Sequence, residues 1–131
     1  MVRIYTLTLA PSLDSATITP QIYPEGKLRC TAPVFEPGGG GINVARAIAH
    51  LGGSATAIFP AGGATGEHLV SLLADENVTV ATVEAKDWTR QNLHVHVEAS
   101  GEQYRFVMPG AALNEDEFRQ LEEQVLEIES G

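Results

Sequence analysis

Cysteine is nearly missing from this 131-residue chain. Cys30 stands alone, which excludes a disulfide framework and suits a reducing, cytoplasmic setting. It has no neighbouring histidine to activate it, and no nucleophile motif supports hydrolytic or redox chemistry. Positive charge is almost as scarce. Eight Lys and Arg face seventeen Asp and Glu, so the net charge is −9 and the basic face that nucleic acid needs is lacking. The acids concentrate in residues 114–131, which read as a solvated helix face. No apolar run approaches the ~20 residues of a membrane span. Arg3 and alternating polar residues replace the apolar block of a signal peptide, so neither membrane nor secretion is expected. The sequon Asn77-Val78-Thr79 is idle in a cytosolic setting.

Glycine, by contrast, is concentrated. Residues 36–51 read EPGGGGINVARAIAHL, with four consecutive glycines, Gly38 to Gly41, running into Asn43 and a helical period. Such a run has no side chains to block a ligand, and its amides can converge on oxygen-rich groups with the positive end of a helix behind them. Val44, Ala47, Ile48 and Leu51 predict one apolar helix face, stopped by Gly52-Gly53. A flexible linker is the plainer alternative, but linkers seldom open onto a strong helix. A Walker loop would need Lys-Ser/Thr where Ile42-Asn43 stand, and a dinucleotide fingerprint would need glycine at Val44. Both are rejected, and with them a nucleotide-binding domain. What remains is a loop followed by an amide that donates and accepts, suited to a polyhydroxylated ligand.

The pattern along the chain is β-α-β-α-β, interrupted by two hairpins. Residues 3–9, 55–59 and 78–83 read as strands of a parallel sheet. Residues 65–76 read as a helix with Thr65 as a candidate cap and Leu69, Val70, Leu72 and Leu73 facing the core. Residues 17–23 and 28–35 flank the turn signal Pro24-Glu25-Gly26, with Pro20 and Pro33 marking edge-like or bulged strands. Residues 91–98 and 103–108 alternate around a second turn. Leu93, Val95 and Val97 are expected on one face and His94, His96 and Glu98 on the other. The two hairpins predict a four-stranded lid apart from the main sheet. Asn114-Glu115-Asp116-Glu117 is a variant capping box opening a helix with Phe118, Leu121, Val125 and Ile128 in one stripe, and Ser130-Gly131 is a natural stop.

Asp14 follows the first strand, where ligands of open α/β sheets gather, or it is a turn aspartate capping its own backbone. His94, His96 and Glu98 could hold a metal, but the spacing is weak and no fourth ligand is apparent. A solvent-facing or interface strand is preferred, and no metal is expected. Lys27, Arg29, Arg90 and Arg105 all fall on the supposed lid, where they serve either edge solubility or an anion.

Gly39-Gly40-Gly41-Ile42-Asn43-Val44-Ala45, then six residues to Gly52 and nine to Gly62, resembles the first signature of the ribokinase/PfkB sugar kinases. Residues 6–14, TLTLAPSLD, and 62–67, GGATGE, resemble the phosphosugar-using branch. The resemblance covers the whole chain and implies a ribokinase-like α/β core at 1–12, 38–86 and 110–131 with a β lid at 13–37 and 87–109. It implies that Asp14 and Asn43 bond sugar hydroxyls and that Gly39, Gly40 and Gly41 bring amides to the sugar. Arg90 would bind the substrate phosphate, with Lys27, Arg29 and Arg105 as weaker candidates. The implied reaction is ATP- and Mg²⁺-dependent phosphorylation, fructose 6-phosphate being the first substrate expected and tagatose 6-phosphate or fructose 1-phosphate the alternatives. A noncatalytic sugar-phosphate-binding or dimerisation module is the reading of a different class. Members of the family are more than twice this length, and their Gly-Ala-Gly-Asp catalytic loop does not occur here. The chain therefore reads as an N-terminal portion, without the nucleotide site or general base, and is expected to be inactive alone. In several members of the family the lid pairs with that of a second subunit, and the apolar strip Leu93, Val95 and Val97, with Trp88 just before it, needs cover, so a homodimer built lid against lid is expected with Trp88, Leu93 and Val95 at its interface.

Overall fold

The computed structural model describes residues 3–129. In chain order the elements are β1 (Tyr5–Leu7), β2 (Ser12–Thr19), β3 (Val34–Gly38), α1 (Gly40–His50), β4 (Thr56–Ala61) and α2 (Gly63–Asp75). β5 (Thr79–Glu84), β6 (Arg90–Val97), β7 (Gln103–Phe106) and α3 (Glu115–Glu129) follow. β1, β4 and β5 form a parallel sheet in the order β1-β4-β5, with Tyr5 opposite Thr56 and Thr56 opposite Thr79. Strand alternation divides β4 between two cores. Ala57 and Phe59 pack under α1 and α2 with Ile42, Ala45, Leu69 and Leu73, whereas Ile58 faces α3 with Val83 and Leu121. Burying side chains such as Phe59, Leu69 and Leu73 contributes about 1.5–3 kcal/mol each.

The helices differ in detail from the sequence pattern. α1 begins at Gly40, and its inward face is Ile42, Ala45, Ile48 and Ala49, while Val44 and Leu51 are exposed. The expected stripe was one step round the helix. Alanines at 45 and 49 let α1 lie close to the sheet, and that proximity outweighs the larger Val44 and Leu51. α2 begins at Gly63 with Gly62 as its cap residue and no side-chain cap. Thr65, expected to cap it, donates its hydroxyl to the Thr89 carbonyl instead, at 2.6 Å. α3 carries a complete capping box. Asn114 Oδ1 accepts the Glu117 amide at 2.8 Å, and Glu117 Oε1 accepts the Asn114 amide at 2.9 Å. Glu117 Oε2 takes the Lys86 amide as well, which ties α3 to the end of β5. Phe118 is half exposed, over Leu7 and Leu9, so the packed stripe is Leu121, Val125 and Ile128. The expected stop at Ser130-Gly131 lies outside the described residues.

The second sheet has the order β3-β2-β6-β7. β2 and β6 run parallel at its centre, with antiparallel partners outside. β6 and β7 form the second expected hairpin. The first is displaced: β2 starts at Ser12, and β3 occupies 34–38 and includes Pro37, which the edge position tolerates. The expected strands at 17–23 and 28–35 around the Pro24-Glu25-Gly26 turn are thus replaced by a long connection over residues 20–33. Segment 29–31 still follows β2, but side chains hold much of it: Thr17 Oγ1 donates to the Thr31 carbonyl and Thr19 Oγ1 to that of Arg29. Among the described residues no helix is long and apolar enough to cross a membrane.

Candidate functional site

Where the two sheets meet, β1 ends, β2 begins and the glycine run leads into α1. Thr8, buried just beyond β1, donates its amide to the Ile58 carbonyl and accepts the Ile42 amide on Oγ1 at 3.1 Å. One first-turn donor of α1 is thereby satisfied, and the Asn43 amide is taken by the Gly39 carbonyl. The remaining first-turn amides, at Gly40 and Gly41, have no intrahelical acceptor. No acid stands in that first turn to neutralise the positive helix end. Gly39 has φ 124°, open to glycine and strained for other residues, and nothing lies within 4 Å of where a Gly40 side chain would begin. Asn43 is exposed, and its side chain makes no hydrogen bond among the described residues.

Asp14 sits in β2 opposite Glu36 of β3 and Asn92 of β6. Its Oδ1 accepts the Ser12 hydroxyl at 2.7 Å and the Asn92 amide at 3.2 Å. Asn92 is buried and in turn accepts the Met108 amide on Oδ1 at 2.8 Å. The second carboxylate oxygen, Oδ2, lies against Gly38, where a side chain would leave it no room. The turn-cap reading of Asp14 therefore fails. It is a strand residue with one oxygen held by neighbours and the other turned toward the glycine run.

Arg90 opens β6 beside Ser12. Its guanidinium donates from Nη1 to the Met108 carbonyl at 2.8 Å and from Nη2 to the Ala10 carbonyl at 2.9 Å, and its Nε is buried without a partner among the described residues. Three crossings between the sheets are thus tied by one side chain: into β2 at Ala10, into β6 at Arg90, and out of β7 at Met108.

The other predicted residues are spread more widely. Arg105 lies opposite His94, itself beside Ala16, so it shares the Asp14 face of the sheet one row further out. Lys27 and Arg29 do not join this group. They line a hollow of about 160 Å³ with Thr19, Tyr23 and Leu28, at the far end of β2 and roughly 17 Å of strand from Asp14. Trp88 lies against Gly63 at the start of α2 and is well exposed. Leu93 is partly exposed, but Val95 and Val97, expected to project with it, are buried within the chain. A partly exposed row crosses the sheet instead, Phe35, Ser15, Leu93 and Phe106, set by the register of four strands, with the Phe35 ring tilted against His68 of α2 at 5.1 Å between centroids. Among the described residues no group of three or more His, Cys, Asp and Glu could hold a metal.

Sequence reasoning gave no separate role to Thr8, Ser12, Gly38 or Asn92, although Gly38 opens the glycine run and Thr8 and Ser12 lie within residues 6–14. Asn92 left a signal only as a short polar residue at the start of an otherwise apolar-alternating strand.

The sequence pattern of the pfkB family carbohydrate kinases matches residues 7–131. The chain belongs to that family. Compared with ATP-dependent 6-phosphofructokinase isozyme 2 of Escherichia coli, it is 99% identical over 131 residues, all of this chain and 42% of that protein. Among solved structures, E. coli phosphofructokinase-2 in complex with fructose-6-phosphate superposes with a TM-score of 0.93 at 99% identity, over 97% of this chain and 42% of that one. The tetrameric inhibited form of the same enzyme superposes equally, with a TM-score of 0.93 at 99% identity, over 98% of this chain and 42% of that one. The pfkB-type fold is therefore established: a parallel α/β sheet with flanking helices and a second, mixed sheet. The chain spans about 42% of the length of these relatives.

Proposed function

We propose that this chain supplies the sugar-phosphate-binding loop and lid of an ATP-dependent phosphotransferase of the 6-phosphofructokinase type. One observation carries the reading: Asp14 Oδ2, held free by Ser12 and Asn92 on its sister oxygen, faces the same glycine run as the open amide end of α1. A carboxylate accepts hydrogen bonds from sugar hydroxyls, and the amides and Asn43 meet the hydroxyls from the other side. Fructose 6-phosphate is the proposed substrate, supported by the likeness to enzymes whose names state that chemistry. Arg90 is the proposed ligand of its phosphate, supported by a guanidinium that keeps N–H donors beyond the two that hold carbonyls. Arg105, on the Asp14 face, is the next candidate. Lys27 and Arg29 would reach the same phosphate only from elsewhere than this chain's own site.

In the full-length kinase, Asp14→Ala and Asn43→Ala are each expected to weaken sugar-phosphate affinity by about 1–3 kcal/mol, the loss of one or two hydrogen bonds. Isothermal titration with fructose 6-phosphate measures this, and unchanged affinity in both variants refutes the assignment. Binding that survives with no ADP release from the full-length protein points instead to a noncatalytic module.

The lid is the proposed dimer surface, through the row Phe35, Leu93 and Phe106 rather than along β6. These side chains are 36%, 38% and 47% exposed even with His68 of α2 against the Phe35 ring, an apolar row that a second copy would cover. Leu93→Ala is expected to shift the full-length protein toward monomer at micromolar concentration. Sedimentation velocity that finds the association unaltered counts against the surface.

A further inference from the structure

We infer that Arg46 is a positioning residue for the glycine run, acting from outside the substrate site. Its side chain leaves the middle of α1. Nε donates to both oxygens of Glu76, at 3.1 and 2.9 Å, and Nη1 donates to the Pro37 carbonyl at 3.1 Å. Glu76 is the residue that closes α2, and it also takes His50 Nε2 on Oε1 at 2.9 Å. One guanidinium therefore connects the end of α2 with the last residue before Gly38.

That carbonyl is a sensitive place to hold. β3 is an edge strand, and Pro37 has no amide with which to anchor itself from the other direction. The four residues that follow are all glycine, with the fewest intrinsic restraints on φ and ψ of any residue type. On the far side, Thr8 Oγ1 fixes the run at the Ile42 amide. Arg46 fixes it on the near side, so the run is a flexible span clamped at both ends. Arg46 and Glu76 are both 22% exposed, and the single Nε–H is shared between the two carboxylate oxygens while Nη1 reaches the Pro37 carbonyl, so one planar guanidinium fixes the direction of both groups. A lysine could neutralise Glu76, but its single ammonium does not reproduce a fork that reaches the carboxylate and the carbonyl together. The function of this clamp is to hold the amides of Gly39 to Gly41, and Gly38 beside Asp14 Oδ2, at the spacing a sugar meets. Its effect on turnover rests on the reading given under Proposed function, and its effect on the loop does not.

The test uses the full-length protein and three variants: Arg46→Ala, Arg46→Lys and His50→Ala. Hydrogen–deuterium exchange of the amides at 38–43 reads the clamp without any substrate. Both Arg46 variants are expected to exchange several-fold faster there, and His50→Ala, which relieves only the outer side of Glu76, is expected to match wild type. In steady-state kinetics the KM for fructose 6-phosphate should rise about tenfold in both Arg46 variants, with the KM for ATP within twofold of wild type, because what is lost is orientation of the sugar site. Thermal melting provides the control. Arg46→Lys keeps its ionic attraction to Glu76 and should melt close to wild type while still showing the KM effect. The inference is overturned if loop exchange is unaltered in Arg46→Ala, or if the sugar KM merely follows melting temperature across the three variants. Faster loop exchange in a protein that does not respond to fructose 6-phosphate upholds the clamp and refutes the kinase reading instead.

Discussion

Gly38→Ala is expected to lower kcat/KM for fructose 6-phosphate by about two orders of magnitude in the full-length kinase while leaving its melting temperature nearly unchanged, since misplacing a binding group by about 1 Å can cost that much. A methyl group at this position would lie 2.5 Å from Asp14 Oδ2 and closer still to Ser12 Oγ. Both are ends of side chains, so they swing aside at small cost to folding. Their movement is the damage, because the Ser12 hydroxyl and the Asn92 amide together aim the Asp14 carboxylate. Two neighbours calibrate the result. At Gly39 a side chain meets φ 124° and Thr8 Cγ2 at 2.7 Å, so Gly39→Ala should also lose about 1–3 kcal/mol of stability. At Gly40 the chain leaves open space, so any loss of sugar affinity in Gly40→Ala reports a ligand occupying it. Retention of wild-type kinetics by Gly38→Ala refutes the placement of the sugar against Asp14.

The features legible in the sequence are the local ones. The loop from Gly39 to Asn43, the capping box at Asn114 and Glu117, and the turn between β6 and β7 each depend on residues a few positions apart, and their spacing carries the geometry. Asp14 could be noticed but not resolved, because the groups that orient it lie two residues away at Ser12 and 78 residues away at Asn92. The parallel pairing of β2 with β6 is invisible for the same reason, and without it Arg105 cannot be placed on the Asp14 face nor Lys27 removed from it. α1 shows a different limit. Val44, Ala47, Ile48 and Leu51 satisfy a helical period as well as Ile42, Ala45 and Ala49 do. Hydrophobicity ranks the first set higher, but closeness to the sheet selects the second, with its small residues. The lid strip along β6 failed because alternation predicts which residues share a face, not which of them the chain covers. Val95 and Val97 share that face with Leu93 and are buried all the same.

The second large effect is expected at Arg90, where one side chain ties the base of the lid and is the proposed phosphate ligand. Arg90→Ala removes two charge-assisted bonds to carbonyls, each worth about 1.5–3 kcal/mol in a folded protein, though not additively. The Met108 carbonyl depends directly on Arg90, and the Met108 amide is already held by Asn92, so freeing one loosens the link to Asp14 through the other. Hydrogen exchange should therefore quicken at the amides around Ala10 and Met108 in the variant even without ligand. The KM for fructose 6-phosphate should rise by more than tenfold. Arg90→Lys separates the two contributions. Its ammonium keeps the charge near a phosphate but cannot donate to Met108 and Ala10 in the fork that a guanidinium provides. If the phosphate contact dominates, lysine recovers most of the affinity while the lid base still exchanges fast. If the lid tie dominates, lysine is nearly as impaired as alanine, and the loss appears equally with a sugar that lacks the phosphate. Arg90→Ala with wild-type exchange at Ala10 and Met108 and an unaltered KM removes Arg90 from both roles.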